Sequence, residues 1–597
     1  MGKLSNSNFF TSLPLDAQAF LDWNWQQISP FFDELLQRQL HAQNIEQWLF
    51  DWTRLSDLMI EAHARRSLAV SMNSSDSQAE FAYNTYLDEI YPASQAANQR
   101  LKEKLLTSQL EPPGFEVPLR KMRTEAALFC EENIPLLAQE HKLVSQYNKI
   151  IGEQTITWNG EELTLQQLRR IHQNPQRSIR ERAWTVASER QLADRAALNQ
   201  LWSKFLGLRT RLGKQAGENA YFEYRWKQLL RLDYTPQDAK RFQKAILEAA
   251  VPAATRVYEK HRRLMRYDAL RPWDLDLDLY PLHFPSLPSY GDTHKLADGV
   301  QTIFDNLDAQ LGDYFRRMRE HGLLSLDNQK GKAPGAFCTG FPATGMPFIF
   351  MNAVGVSGDV RTLLHESGHA FHNYERFKLP FSQQRNPGLE FAEVASMAIE
   401  LLAAPFMASS GIFLTDDAAR FRIAHLEHIL VFWPYMAVVD AFQHWVYEHQ
   451  DQSNKSKNCD ACWLDLWDEY IPGVNWAGFE ESAKTGWLRK QHIFRAPLYY
   501  LEYGLAQLGA VLVWQKALSD PDQALRDYRY ALGLGGTVTL PDLYKAAGAR
   551  LAFDTETLSE AVALVEGVMM QVEASLSEPE ERRNPTVKGI FVPFKQS

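Results

Sequence analysis

The chain has 597 residues, 45% of them hydrophobic and 23% charged, a balance that excludes disordered and collagen-like architectures. Its 63 Lys and Arg against 73 Asp and Glu give a formal charge of −10, which disfavours nucleic acid as a partner, since phosphates call for a basic face. Four cysteines are too few for a disulfide framework, so a reducing compartment is expected.

The first residues, MGKLSNSNFF, contain neither a long apolar stretch nor a small-residue cleavage site, and Asn6 stands where a myristoylation signal wants Ser or Thr. No uninterrupted apolar run approaches the roughly 18 residues of a membrane span. The expectation is a cytoplasmic protein without membrane contact. Residues 16–40, 45–67 and 78–106 place apolar side chains at three- and four-residue spacing and predict helices. Thr155 to Trp158 and Glu161 to Leu165 flank Asn159-Gly160, a pair suited to positive φ at both turn positions, and predict a hairpin. Long helices follow over about 175–213 and 236–267, the second opened by Thr235 as cap, Pro236 and Asp238. Residues 270–290 are rich in Pro and Asp and predict a crossing between two halves. Asp274, Asp276 and Asp278 alternate there, but Leu279 and Pro285 stand where a calcium loop needs Gly and Glu. Residues 335–352 are β-prone, and the chain after Asp359 returns to helix.

The segment carrying chemistry is Arg361-Thr-Leu-Leu-His365-Glu366-Ser-Gly-His369-Ala-Phe-His372. On a helix, HExxH stacks two imidazoles one turn apart so that both reach one zinc ion, with Glu366 beside them as a proton acceptor. Composition alone gives about 0.05 chance matches in a chain of this kind. His372 is seven residues beyond His365, about 10.5 Å along the axis, too far for comfortable shared ligation, so it is expected to pack or support. A third ligand is needed, and the stretch Leu389 to Leu402 offers Glu390, Glu393 and Glu400 near one helix face. Spacing does not choose among the three.

Further along, Tyr500 and Tyr503 are three residues apart and would present hydroxyls to one side of a helix, with Tyr499 pointing elsewhere. Donors aimed at a developing oxyanion are worth several kcal/mol, and His492, eight residues before Tyr500, could add one. Cys459 and Cys462 form a CxxC without a second ligand pair and are expected to be bystanders. Gly533, Gly535 and Gly536 lack a following Lys-Ser or Lys-Thr and read as a helix stop. Arg489, Lys490 and Arg495 read as a charged surface turn.

His365-Glu366-Ser-Gly-His369 followed by Glu393-Val-Ala-Ser396 resembles the oligoendopeptidase F and thimet oligopeptidase family of zinc peptidases, with the bacterial Pz-peptidase-like members most similar. The resemblance extends to Gly331 through Phe337, Pro347 through Asn352, Tyr224 through Lys227, Trp273 through Asp276, Gly486-Trp487 through His492, and Tyr499 through Ala506. It implies Glu393 as third ligand, one zinc per chain, and a cleft opposite the zinc lined by His492, Tyr500 and Tyr503. It also implies that Gly335, Ala336 and Phe337 line the substrate. Thimet-type enzymes have a longer, Gly-rich connection between that His and its tyrosines; residues 493–499 are compact here, as on the oligoendopeptidase side.

The expected architecture is mainly α: a large two-lobed helical zinc-peptidase fold, a small β-sheet edge beside the HExxH helix, and a deep substrate channel. Residues 1–200 are expected to form a helical lobe covering the cleft and 201–597 the catalytic domain. The expected activity is endopeptidase cleavage of short unstructured peptides, with Glu366 as general base.

Overall fold

A computed structural model describes residues 9–73, 76–165, 168–172, 174–275, 290–329, 332–333 and 335–577. The helical spacing read from the sequence folds as helix through most of this length. The 28-residue helix α1 (Ile45–Met72) buries Trp48, Trp52, Leu55, Leu58 and Ala62 along one side, at three- and four-residue steps. These side chains belong to an apolar cluster running from Phe10 to Met122. Helix α2 (Asn133–Gly152) instead sends Leu136, Leu143 and Tyr147 into the main core, which continues to Val572. The change of cluster therefore falls between Met122 and Leu136. Residue 200, the expected boundary, lies inside helix α3 (Arg195–Gln215).

Strands β1 (Thr155–Trp158) and β2 (Glu161–Thr164) pair antiparallel as expected. Asn159 and Gly160 take φ of 52° and 90°, the positive values such a two-residue turn demands. Thr235 closes a capping box with Asp238, and Pro236 opens the helix, again as the sequence implies. Of the alternating aspartates, Asp276 and Asp278 lie outside the described residues. Asp274 is buried and paired with Arg177 at 2.5 Å and Arg180 at 2.8 Å, which makes it a structural ion-pair partner.

A three-stranded sheet precedes the zinc-motif helix. β3 (Leu324–Asp327) runs parallel to β5 (Met346–Ala353), and β4 (Phe337–Phe341) pairs antiparallel with β5 on its other side. The order β3-β5-β4 leaves β4 at the edge. The chain then enters helix α4 (Ser357–Arg376), whose N-terminus is tied down by Asp359. That carboxylate accepts the N–H groups of Val354, Gly355 and Val356 at 2.8, 2.8 and 3.1 Å, and a negative group here also complements the helix dipole.

Helix α5 (Leu389–Ala403) crosses α4 at Gly368. A Cβ added to Gly368 would sit 2.6 Å from the Ser396 Cα and 2.7 Å from the Ala395 carbonyl, so only glycine permits this approach. α5 is covered in turn by helix α7 (Tyr500–Ser519), while helix α6 (Thr415–Glu448) packs on α7 and reaches α5 through His425 and Glu400. Leu389–Ser410 is long and apolar enough to cross a membrane, with mean hydropathy 1.5, but its richest window is 72% buried inside the protein and it carries three glutamates. Its setting is that of a core helix.

The N-terminal cluster grips the sheet and the loop after α4 through polar contacts. Glu61 accepts the Thr344 N–H at 3.0 Å, Asp57 pairs with Arg385 at 2.9 Å, and Lys121 donates to the Asn386 carbonyl at 2.6 Å.

Candidate metal centre

The Gly368 crossing sets the site. It carries Glu393 on α5 up to the exposed imidazole face of α4, where His365 and His369 stand one turn apart. His365 Nε2 and His369 Nε2 lie 3.5 and 3.7 Å from Glu393 Oε2. Ligands about 2.0–2.2 Å from a tetrahedral zinc are separated by about 3.3–3.6 Å, so the two imidazoles and the carboxylate fit such an ion. Among the described residues this is the one His/Cys/Asp/Glu group whose ligand atoms converge, all within 4.8 Å of one another. The two histidine side chains keep 25% and 22% of their surface accessible, which leaves an open position facing solvent.

Each ligand is held from behind. His365 Nδ1 lies 2.7 Å from Glu400 Oε1, and the other Glu400 oxygen is 3.2 Å from His425 Nε2. Glu400 is seven residues after Glu393, two turns along the same face, so one helix supplies both a ligand and a support. Burial works against charge at His365, but Glu393 and Glu400 outweigh it and hold the imidazole well above its ordinary range. Burial pushes His369 the other way, to about 4. Ser396 Oγ donates to Glu393 Oε2 at 3.1 Å and fixes the carboxylate. Burial would raise Glu393, yet the His365 hydrogen bond and the two imidazoles bring it below the usual carboxylate value. Glu390, the alternative ligand, accepts the Tyr234 hydroxyl at 2.6 Å and takes no part.

Glu366 is buried, and its Oε2 has no hydrogen-bond partner among the described residues. Burial lifts its carboxyl to about 7, against the His365 charge and a hydrogen bond from the Cys338 backbone N–H. A carboxylate with a free oxygen beside a metal-ligand set suits proton transfer near neutral pH. The Cys338 contact also brings β4 against the site. Gly340 lets β4 approach closely, since a Cβ there would meet Phe377 Cζ at 2.7 Å and Asn373 Oδ1 at 2.9 Å and displace those side chains. His372 is buried against Phe391, and its Nε2 finds no partner among the described residues, as a packing residue rather than a ligand.

The segment 487–503 brings an aromatic wall near the ligand set, where His492, Tyr499 and Tyr503 all feel the Glu393 charge. His492 stacks edge-on to Tyr500 and Tyr503 at 5.1 and 5.9 Å, and Tyr499 lies 5.2 Å from Tyr503. The sequence set Tyr499 apart. In the structure its hydroxyl pairs with that of Tyr503, and both phenols are raised by burial first and by the Glu393 charge second. The Tyr500 hydroxyl accepts Lys490 Nζ at 2.5 Å, and the Tyr500 ring meets Tyr435 and Phe432 as well as His492 and Tyr503. The expected surface turn is thus corrected in part. Lys490 lies over the rings of Tyr435 and Tyr500, and Arg489 donates to the Ser482 carbonyl at 3.0 Å, so both side chains are held by packed neighbours; of the three, Arg495 alone is exposed. Burial pushes Lys490 down to about 8 and His492 to about 4.

Residues far back in the chain position this wall. Tyr147 on α2 stacks on Phe494 at 4.3 Å and donates to the Leu488 carbonyl at 3.1 Å. Arg209 on α3 donates to the Ile493 carbonyl at 3.2 Å. The buried Arg231–Glu502 pair, closed at 2.8 and 3.1 Å, anchors the turn at Leu498, whose φ of 62° is rare for a branched residue. Gly335 and Ala336 precede β4, and Phe337 begins it, stacked 4.7 Å above Phe350. Gly331 and Pro334 of the same motif lie outside the described residues. Cys459 and Cys462 are free thiols on the helix Ser456–Tyr470, and Gly535 ends the helix Pro521–Leu534 as expected.

Two histidines of an HExxH helix and a glutamate from a crossing helix, on a mainly α scaffold with an edge strand alongside, define a metallopeptidase class of site. Residues 170–563 match the model of Peptidase family M3, and the chain belongs to that family. It is similar to an oligoendopeptidase F homolog of Borreliella burgdorferi, at 22% identity over 48% of each chain. It is also similar to oligopeptidase PepF of Bacillus subtilis, at 30% identity over 31% of this chain and 28% of that one. These stretches span about half or less of the curated relatives. Among solved structures, Pz peptidase A with an inhibitor superposes with a TM-score of 0.85 at 25% identity, covering 94% of this chain and 99% of that one. Oligoendopeptidase F from Enterococcus faecium, at 14% identity and a TM-score of 0.58, shares the fold.

Proposed function

We propose that this protein is a cytoplasmic zinc endopeptidase that hydrolyses internal bonds of short, unstructured peptides. The observation that carries the reading is the convergence of His365, His369 and Glu393 beside the partner-free carboxylate oxygen of Glu366. One zinc ion held by those three residues would supply Lewis-acid polarisation of the scissile carbonyl and of water. Glu366 would accept the proton of the attacking water and deliver it to the leaving amine. Tyr503, with Tyr499 hydrogen-bonded to it, would donate to the oxyanion, and His492 would hold the Tyr500–Tyr503 wall in place. Tyr500, tied to Lys490, would support from one layer further out.

The outer edge of β4 offers backbone groups to which an extended peptide can add as a strand, with Gly335 and Ala336 leading into it and Phe337 beginning it. The N-terminal cluster from Phe10 to Met122 would act as the covering lobe over the catalytic remainder, through the Glu61, Asp57 and Lys121 contacts. An internally quenched peptide, assayed with and without a chelator and with zinc restored, tests the reading. Cleavage at an internal bond, lost on chelation and regained with zinc, is expected. Cleavage confined to the terminal residue of the peptide would point to a carboxypeptidase instead.

A further inference from the structure

A cavity of about 590 Å³ lies between α1 and β4. Beyond Asp57, its α1 wall carries Ile60, His63, Ala64, Ser67, Leu68 and Ser71, spaced as one helix face requires. Opposite stands β4 from Phe337 to Gly340, so the edge strand that adjoins Glu366 also bounds the cavity. The α1 wall is apolar or hydroxyl-bearing apart from Asp57, whose carboxylate is engaged by Arg385, and His63, whose imidazole is held below its ordinary range by burial and the Arg66 charge.

The far end carries two guanidinium groups in different states. Arg385 is neutralised by Asp57, both of whose oxygens lie within 3.0 Å of it. Arg376 donates only to neutral acceptors, to Asn373 Oδ1 at 3.0 and 2.6 Å and to the Arg385 carbonyl at 3.1 Å. It makes no ion pair among the described residues, and burial pushes it down to about 10. A half-buried guanidinium without a counter-charge is unfavourable, and a carboxylate entering the cavity satisfies it in the fork geometry arginine prefers.

Position along the substrate follows from two rises. Arg376 lies seven residues beyond His369, about 10.5 Å along the helix axis. β4 runs beside α4, with Cys338 next to Glu366 and Gly340 next to Asn373 and Phe377, so an extended peptide added to β4, at about 3.3 Å per residue, brings a side chain to Arg376 about three residues from the metal position. An Asp or Glu side chain shortens that to two or three.

We propose that this cavity is a specificity pocket in which Arg376 selects peptides carrying an Asp or Glu two or three residues from the scissile bond, with apolar or small neighbours against the α1 stripe. The proposal rests on the endopeptidase reading above. Arg376 binds the substrate and takes no part in bond breaking.

The test is a set of quenched peptides of one sequence in which Glu, Gln or Lys is placed at each of the three positions on either side of the cleaved bond. For the zinc-loaded wild type, kcat/KM should favour Glu over Lys at least tenfold at a single position, two or three residues from the bond. The ratio should shrink as salt is raised, since a charge pair is being screened. In Arg376→Gln the ratio should fall to about one, in Arg376→Lys it should persist in part, and in Arg376→Glu it should invert. Cleavage of every peptide by the wild type with no position that distinguishes Glu from Lys overturns the proposal and leaves the endopeptidase reading standing. A preference that survives in Arg376→Gln also overturns it. Absence of cleavage of any peptide by zinc-loaded wild type overturns the reading beneath. The wild-type series decides the matter even where a variant fails to fold.

Discussion

Glu400 Oε1 lies 2.7 Å from His365 Nδ1, on the side of the imidazole away from Glu393. This contact fixes which ring nitrogen faces the metal position, and a carboxylate behind a ligating histidine also makes that ligand more basic. Glu400→Gln keeps the shape and removes the charge. Zinc affinity should drop about 10- to 100-fold, as measured by competition with a chromophoric chelator. Unchanged affinity would mean that the pair is a structural hydrogen bond with no influence on the metal.

Roles at the metal separate by substitution. Glu366→Gln should retain about one zinc per chain and lose nearly all turnover, because the ligands are intact and the proton acceptor is gone. His365→Ala, His369→Ala and Glu393→Ala should each lose zinc in dialysis followed by metal analysis. Glu390→Ala should keep it, since that carboxylate is engaged with Tyr234. Zinc lost from Glu390→Ala but kept by Glu393→Ala would refute the assignment of the third ligand.

The tyrosines can be ranked. Tyr499 and Tyr503 both feel the Glu393 charge, whereas Tyr500 is bonded to Lys490. Tyr503→Phe removes one hydroxyl with little change of shape, and turnover should fall about 10²- to 10³-fold with a smaller change in KM. Tyr500→Phe should cost less than Tyr503→Phe. Steady-state kinetics showing the reverse order would move the oxyanion donor to Tyr500.

The sequence made the two histidines, Glu366 and the helical class readable, because HExxH and the 3.6-residue apolar period are local patterns. Choosing among Glu390, Glu393 and Glu400 was different. All three share a face, and what separates them is which neighbour each meets: Tyr234, the imidazole pair, or the far side of His365. Those partners lie up to 156 residues away in sequence, and spacing carries no record of them. Tyr499 was set apart for a related reason. Its place at the helix start, beside the strained Leu498 anchored by Arg231, turns it toward Tyr503, and a uniform helical wheel does not contain that turn. The support of the His492 wall by Tyr147 and Arg209 is equally nonlocal.

Gly368 sits inside the motif at a position where the zinc chemistry needs no particular residue, yet the structure needs glycine. A methyl group there would stand 2.6 Å from the Ser396 Cα, and backbone cannot rotate aside as a side chain can. Gly368→Ala should therefore force α4 and α5 apart, at about 1–3 kcal/mol of stability. Because Glu393 rides on the displaced helix, zinc affinity should fall together with the unfolding free energy. Denaturant titration and zinc competition on the same variant check the coupling. A loss of stability with unchanged zinc binding would mean that the site adjusts independently of the helix crossing.

Substrate size follows from how the N-terminal cluster meets the catalytic elements. α1 stands across a cavity from β4, and Glu61, Asp57 and Lys121 tie that cluster to the hairpin turn and to the loop after α4. A peptide adding to β4 must therefore run between two walls, and enclosed sites favour ligands they can largely bury. An unfolded chain of about 5 to 20 residues can thread such a space, at about 3.3 Å per residue, whereas a folded domain cannot bring a loop that deep without unfolding. The comparison uses one quenched peptide and the same sequence displayed in the surface loop of a stable protein. The free peptide should be cleaved in a chelator-sensitive manner, with the displayed copy left intact over the same time. Equal rates for the two would mean an open groove. In that case the N-terminal cluster would have no part in selecting substrates by size, and the contacts of Glu61, Asp57 and Lys121 would serve stability alone.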